Sequence, residues 1–595
     1  SPKVVLNIDS RLEPRKMVLT YADGDKEKLF YSSATTEIDT ETYEYGPDGN
    51  KKAYSILHGA NVYGGCYESG QINGDVEINV RRDIVSPDIP EEHMVSKNPE
   101  FLKDAGLVDS DGKALQNVPF AQYAFSTAMN VFGGGYGKDT EIKGMTTINL
   151  TDDARVMKVF GGGEMGTVRG KEITDNGIKT KKGTVINISA TKPAEATKYN
   201  TYMAYGGGYE GKVFGDVEVI LNSGRLFDVY GGSCNADIEG STYVQVGNGV
   251  SDVLEIKNSV YGANDFGGQL LQDKLWSIDN GAKAIRSRSH VVYNSGAIEN
   301  ELYGGAFGSY DYNKFVRDNI EGFKFPRQES PVNKLEGDDI AANTFVQIAS
   351  QSTNANDYVK NGIYGGGRGF ANTTGIVDVH QTYVHLHSAT YSSRYAASLF
   401  NPMTPAVYGG GYYSHVENTL VDAVTGHVGI IYGGTAGMSA TKLNPEISYN
   451  AGTTTVNIYN GMDNTSMIVY GAGPLAGANT TNVHLYGGVA DKVYGGAFAE
   501  GICSETNIFV PETSTVSVNA LYGGSRGKQP NLPCDVIQSK INFHSDKASV
   551  TDAIFGGNDF MRATKNSLIN ITVPVKNLKA DTLINVYAAG DGAGS

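Results

Sequence analysis

A motif of one aliphatic residue, one aromatic residue and two or three small residues, nearly always glycines, recurs from Val62 to Ala589. It reads Val62-Tyr63-Gly64-Gly65, Val131-Phe132-Gly133-Gly134 and Val159-Phe160-Gly161-Gly162. It returns at Ala204-Tyr205, Val229-Tyr230, Val260-Tyr261, Leu302-Tyr303, Ile363-Tyr364, Val407-Tyr408 and Ile431-Tyr432. Val469-Tyr470, Val493-Tyr494, Leu521-Tyr522 and Ile554-Phe555 follow, and a degenerate copy closes the series at Val586-Tyr587-Ala588-Ala589. A unit repeated this often is architecture before it is chemistry, because repeat proteins grow by stacking one unit on the next. The shortest steps are 24 residues, from Val407 to Ile431 and from Val469 to Val493. The longest are 61, from Leu302 to Ile363, and 69, from Val62 to Val131. A fixed coil that tolerates insertions at its corners explains both.

One clean coil shows the contents. Val217 to Leu221 is rich in β-branched residues and partly alternates, Asn222-Ser223-Gly224 is a turn, and Leu226 to Tyr230 is a second short strand. A Thr-x-Val/Ile-Asn-Ile/Leu strand recurs near Thr147, Thr184, Thr455 and Thr481. Short strands, Gly/Asn corners and no helical period predict an all-β, right-handed parallel β-helix, the hand being taken from general chain chirality. Coils stacked about 4.8 Å apart give a rod on the order of 70 Å long. A propeller blade needs about 40–50 residues, more than this step provides. The aromatic slot accepts Phe as well as Tyr, so stacking of rings between coils, worth about 0.5–1.5 kcal/mol per pair beyond burial, is its expected role. The glycines are expected to take positive φ and turn tight corners.

Residues 1–55 lack the motif and read as an N-terminal cap or small β unit, with the helix proper over 56–595. Two insertions are expected, at about 84–122 and 309–342. The first contains a helix-like segment from Asn98 to Gly106. The second is charged and aromatic, and its Tyr310, Tyr312, Phe315, Arg317, Phe323, Phe325 and Arg327 are the candidate binding residues, since loops on a rigid scaffold commonly carry recognition.

The net charge of −16 argues against nucleic acid as a partner, and no apolar run is long enough to span a membrane. Cys503 and Cys534 lie about one repeat apart, either as isolated core thiols or as a bridge between coils. Gly134 to Asp139 matches the opening of a calcium-binding nonapeptide, making Asp139 a weak calcium ligand, but no tandem copy follows; no cofactor is expected. His385 and His387 project from one strand face with Val384 and Leu386 toward the core. They are candidate metal ligands or proton-transfer groups, read as solvent-facing, with no third ligand nearby in sequence. Among the carboxylates, Asp152, Asp153, Asp216, Asp265 and Asp559 are catalytic candidates for glycan cleavage. Asp265 and Asp559 share an Asn-Asp-Phe frame after the glycines, and corner capping by that frame is the competing reading.

The Val-Tyr-Gly-Gly-Gly repeat, followed by Gly-x-Val and Val-x-Ile/Leu-x-x-Gly, resembles the glycine-rich repeats of large β-helix surface proteins of gut bacteria, described as adhesin-like. The resemblance covers most of residues 55–590. It implies an extracellular, cell-surface module that binds a host or environmental glycan or protein, and it carries no catalytic signature. A fold-level similarity to β-helix polysaccharide lyases and phage depolymerases implies a lyase or hydrolase as the alternative. A structural spacer or fibre component is the third expectation.

Overall fold

The computed structural model describes residues 3–9, 61–82, 130–175, 178–196, 198–308, 323–370, 375–388, 406–437, 451–527, 534–560, 564–576 and 584–591, and the backbone of 17–21, 27–30 and 53–56. Among them there is no α-helix; the chain is a parallel β-helix. Two parallel ladders run its length. The longer strands form one, from Lys3–Ile8 through Asp75–Val80 and Thr146–Asp152 to Thr564–Ile571. The shorter, aromatic strands form the other, from Val62–Tyr63 to Asn585–Tyr587. In the early coils a third, small ladder joins Ser69–Ile72, Asp139–Ile142 and Thr167–Val168.

Alternation explains the motif. Along a strand, neighbours face opposite ways. The aliphatic residue therefore enters the tube, where Val131, Val159, Leu302 and Val407 join one continuous aliphatic core. The ring that follows leaves it and joins a separate aromatic column. From Tyr63 to Tyr587, fifteen rings stack at centroid spacings of 4.5–5.1 Å, with planes within 3–14° of parallel. The slot is a packing position, as its tolerance of Phe predicts.

The glycines are required for a different reason from the one expected. None of the motif glycines has positive φ. Instead the first glycine of each copy lies against its counterpart one coil on. A Cβ on Gly161 would sit 2.0 Å from the Gly206 carbonyl oxygen, and one on Gly365 would sit 2.2 Å from that of Gly409. Backbone in the next coil cannot yield as a side chain does, so the slot excludes alanine by space.

An inward Thr or Ser on the long strands locks this contact. In eleven coils its hydroxyl donates to the carbonyl of the first motif glycine, at 2.5–2.7 Å in the ten from Thr146 to Thr506, and again at Ser539. The hydroxyl is buried but satisfied, so each such bond adds about 1 kcal/mol instead of costing a desolvation penalty.

Residues 1–55, expected as a cap or small β unit, divide into a rung and a small sheet. Lys3–Ile8 is already a rung of the long ladder, paired with Asp75–Val80. Met17–Tyr21, Glu27–Phe30 and Ala53–Ile56 form an antiparallel three-stranded sheet inserted after that rung. The first expected insertion, with its helix-like segment, lies outside the described residues. The second overlaps the rod, since its last residues begin the strand Ile340–Ile348. Cys503 and Cys534 are free thiols in a small apolar cluster, where burial pushes them up to about 11 and about 12.

Candidate functional site

Among the described residues two hairpins rise from the long ladder, Lys171–Asp175 against the start of Ile178–Ala190 and a second, not foreseen, that bears on the candidate residues. Lys274–Ile278 runs antiparallel to the first half of Lys283–Tyr293. Asp279, Asn280 and Gly281 form the turn, at φ +53°, +56° and +90°. Asp, Asn and Gly are the residues that tolerate this region, and their side chains support tight turns.

Under the hairpin the outward face of the long ladder is apolar and aromatic. Tyr243, His290, Phe345 and Tyr383 occupy one register position in successive coils. His290 stacks on Phe345 at 4.1 Å and Phe345 on Tyr383 at 5.1 Å. Trp276 covers His290 at 4.8 Å and donates its indole N–H to Ser287 Oγ at 2.9 Å. Ile278, Ile285 and Ala342 complete a satellite core outside the tube. Burial pushes His290 down to about 3, so this ring stays neutral.

At the edge of that patch lies a chain of polar groups. Asp279 Oδ1 is 3.4 Å from His385 Nε2 and 3.0 Å from His387 Nδ1. His385 Nδ1 is 3.0 Å from the Tyr383 hydroxyl, which donates to Asp422 Oδ2 at 3.0 Å. Lys283 Nζ reaches the same Asp422 oxygen at 2.8 Å, and Asn457 donates to Oδ1 at 2.8 Å. Burial lowers the affinity of His385 for a proton. Burial alone would raise the Asp279 carboxyl, but the imidazoles of His387 and His385 outweigh it and hold it below the usual range. Burial, and then the Asp422 charge, keep the Tyr383 phenol protonated.

The two histidines do share a strand face, with Val384 and Leu386 in the core. They are not both solvent-facing: His385 is 0 % exposed, beneath the hairpin turn, while His387 is 42 % exposed. The third group that sequence proximity failed to supply is Asp279, from the turn. The ligand-capable atoms of Asp279, His385 and His387 all lie within 4.8 Å of one another, the one such set among the described residues. Asp139 is exposed on the small third ladder and outside that set.

The carboxylate candidates are engaged elsewhere. Asp265 accepts from the Tyr205 hydroxyl at 3.0 Å and Asp559 from that of Tyr494 at 2.6 Å, so the shared frame ties the corner to the aromatic column. Asn264 and Asn558 do the capping, accepting from the Ser233 and Ser525 amides at 2.9 and 2.8 Å. Burial raises Asp265 to about 7. Asp216 accepts from Ser241 and pairs with Lys274 at 3.0 Å, Asp153 pairs with Arg82 at 3.3 Å, and Asp152 sits at φ +51°.

Of the expected binding residues, Tyr310, Tyr312, Phe315 and Arg317 lie outside the described residues. Phe323 packs on the aromatic column and Phe325 on the aliphatic core, with their rings edge to face at 5.4 Å. Arg327 is exposed and pairs with Glu329 at 3.3 Å. The chain matches no protein-family description, no curated protein and no solved structure.

Proposed function

We propose that this chain is an extracellular, cell-surface, adhesin-like β-helix module whose rod holds a binding face toward a glycan or a host protein. The observation that carries the reading is the division of labour between the two ladders. The repeat itself is consumed by packing: its aliphatic residues fill the tube, its rings stack on one another and its glycines touch backbone. On the outward face of the long ladder, by contrast, apolar and charged groups are built up beyond what the coil needs. A rigid scaffold with local elaboration suits recognition.

The depolymerase alternative gains little support from Asp265 and Asp559, each held by a column tyrosine. The spacer alternative is favoured by one observation: residues 323–328 return to the rod, with Gly268 N–H donating to the Lys324 carbonyl at 2.8 Å and Lys324 pairing with Asp237 at 2.9 Å. A glycan and matrix-protein array, run beside a depolymerisation assay on the same polysaccharides, separates the three. Retention without new reducing ends or unsaturated products supports the adhesin. Turnover supports the enzyme, and neither signal supports the spacer.

A further inference from the structure

We infer that Asp279, His385 and His387 form a binding site for a divalent transition-metal ion of the Zn²⁺ class, which clamps the hairpin turn onto the rod. The inference is independent of what the rod binds.

Counting protons leads to it. The Tyr383 hydroxyl has one proton and two neighbours, Asp422 Oδ2 and His385 Nδ1, each at 3.0 Å. The carboxylate takes that proton, because a charged acceptor makes the stronger bond. The phenol oxygen is then an acceptor, and His385 must donate to it from Nδ1. In the neutral ring Nε2 is consequently bare. A neutral His385 turns that lone pair toward Asp279 Oδ1 at 3.4 Å, an acceptor opposite an acceptor where a protonated ring would donate, at a fully buried imidazole. A cation placed between them supplies what the pair lacks.

The spacing fits. Zn²⁺ binds His nitrogen and carboxylate oxygen at about 2.0–2.2 Å, so adjacent ligand atoms of a tetrahedral site lie about 3.4 Å apart. The Asp279 oxygen is 3.4 and 3.0 Å from its two nitrogen partners. Two imidazoles and one carboxylate suit Zn²⁺ or its first-row neighbours, not Ca²⁺, which takes oxygen ligands. Three protein ligands with a half-exposed His387 leave a coordination position toward solvent. The outer groups are those such a site needs: Tyr383 orients His385, and Asp422, held by Lys283 and Asn457, orients Tyr383. Tyr383 is a positioning residue here.

The test uses the full chain, tag-free and stripped with EDTA, titrated calorimetrically with Zn²⁺ and separately with Ca²⁺. One Zn²⁺ per chain is expected, with no saturable Ca²⁺ binding. His387→Ala and Asp279→Asn, both at partly exposed positions, should each weaken Zn²⁺ binding by at least about tenfold. Tyr383→Phe keeps all three ligands and should weaken it by roughly 10–100-fold. His427→Ala removes a separate His–Asp pair, His427 with Asp463 at 3.1 Å, and should change nothing. Tetrahedral Co²⁺ absorption, lost in His387→Ala, reports the geometry directly. Less than stoichiometric Zn²⁺, affinity that survives both ligand variants, or Ca²⁺ bound equally well would overturn the site.

Discussion

The same outward register position is put to two uses along the rod. In the first coils it holds Asn7, Asn79, Asn149 and Asn187, each amide donating to the one before it at 2.7–2.9 Å. Further along it holds His385, Asp422, Asn457 and His484. An asparagine both donates and accepts, so the first stretch satisfies itself coil after coil and needs no cover. The second begins with an imidazole and a carboxylate. These recruit Lys283, Tyr383 and Asp279 from outside the row, and the hairpin supplies two of the three. Identical backbone geometry therefore carries a closed ladder in one place and an open, charged one in another.

The most severe test asks whether the backbone beneath the two stretches is the same. Gly161→Ala under the ladder and Gly365→Ala under the covered stretch should each lose about 4–5 kcal/mol in urea unfolding, since both place a Cβ against backbone. A tolerated Gly365→Ala would break the comparison. Next, Asp422→Ala should cost about 3–4 kcal/mol by stranding Lys283, whereas Asn149→Ala should cost only about 1 kcal/mol. Equal costs would mean that charge adds nothing to the row.

Asp265 sharpens the point about partners. Unlike Asp422 it has no ion pair with a lysine: its Oδ2 accepts from Tyr205 and, at 3.9 Å, from the Cys234 thiol, and its Oδ1 is buried without a hydrogen bond. Burial raises it from 3.8 to about 7, and Asp228 likewise to about 6. The native state thus keeps protons that the unfolded chain has released, so the contribution of these two carboxyls falls as pH rises from about 4 to about 7 and then levels, against the rise that neutral His290 contributes up to about pH 6.5. Asp265→Asn should flatten that slope and gain on the order of 2–3 kcal/mol above neutral pH, read from denaturant midpoints across pH. The most local effect is expected at Trp276→Phe, which loses the bond to Ser287: about 1 kcal/mol, with faster amide exchange in 284–293 and unchanged exchange in 146–152.

The coil count and the ring column were legible because both depend on local alternation and on a slot that accepts Phe160 as readily as Tyr205. The glycine requirement was misread because its cause lies between coils. Gly161 meets Gly206, 45 residues on, and nothing beside either residue announces that contact. The threonine pattern was visible around Thr147 and Thr184, but not that Thr146 and Thr184 donate to the glycine carbonyls. His385 looked exposed for a similar reason. Its cover comes from Asp279, 106 residues earlier, and uneven coil lengths hide which strands are neighbours. A local signal did exist: Asp279-Asn280-Gly281 between two strand-like runs is a hairpin turn by composition. Lys283 and Asp422 carried no such signal, since their meeting depends on register alone.

Trp276 is the one tryptophan in the chain, and it sits on the hairpin, clear of the fifteen-ring column. The molecule is therefore labelled twice by its own residues. Indole emission, excited where phenols do not absorb, reports whether the hairpin lies closed against His290 and Tyr243. The near-ultraviolet dichroism of the tyrosine column reports whether the rod is intact. Because the two chromophores belong to different structures, opening of the hairpin can be timed on an unmodified chain while the rod stays folded.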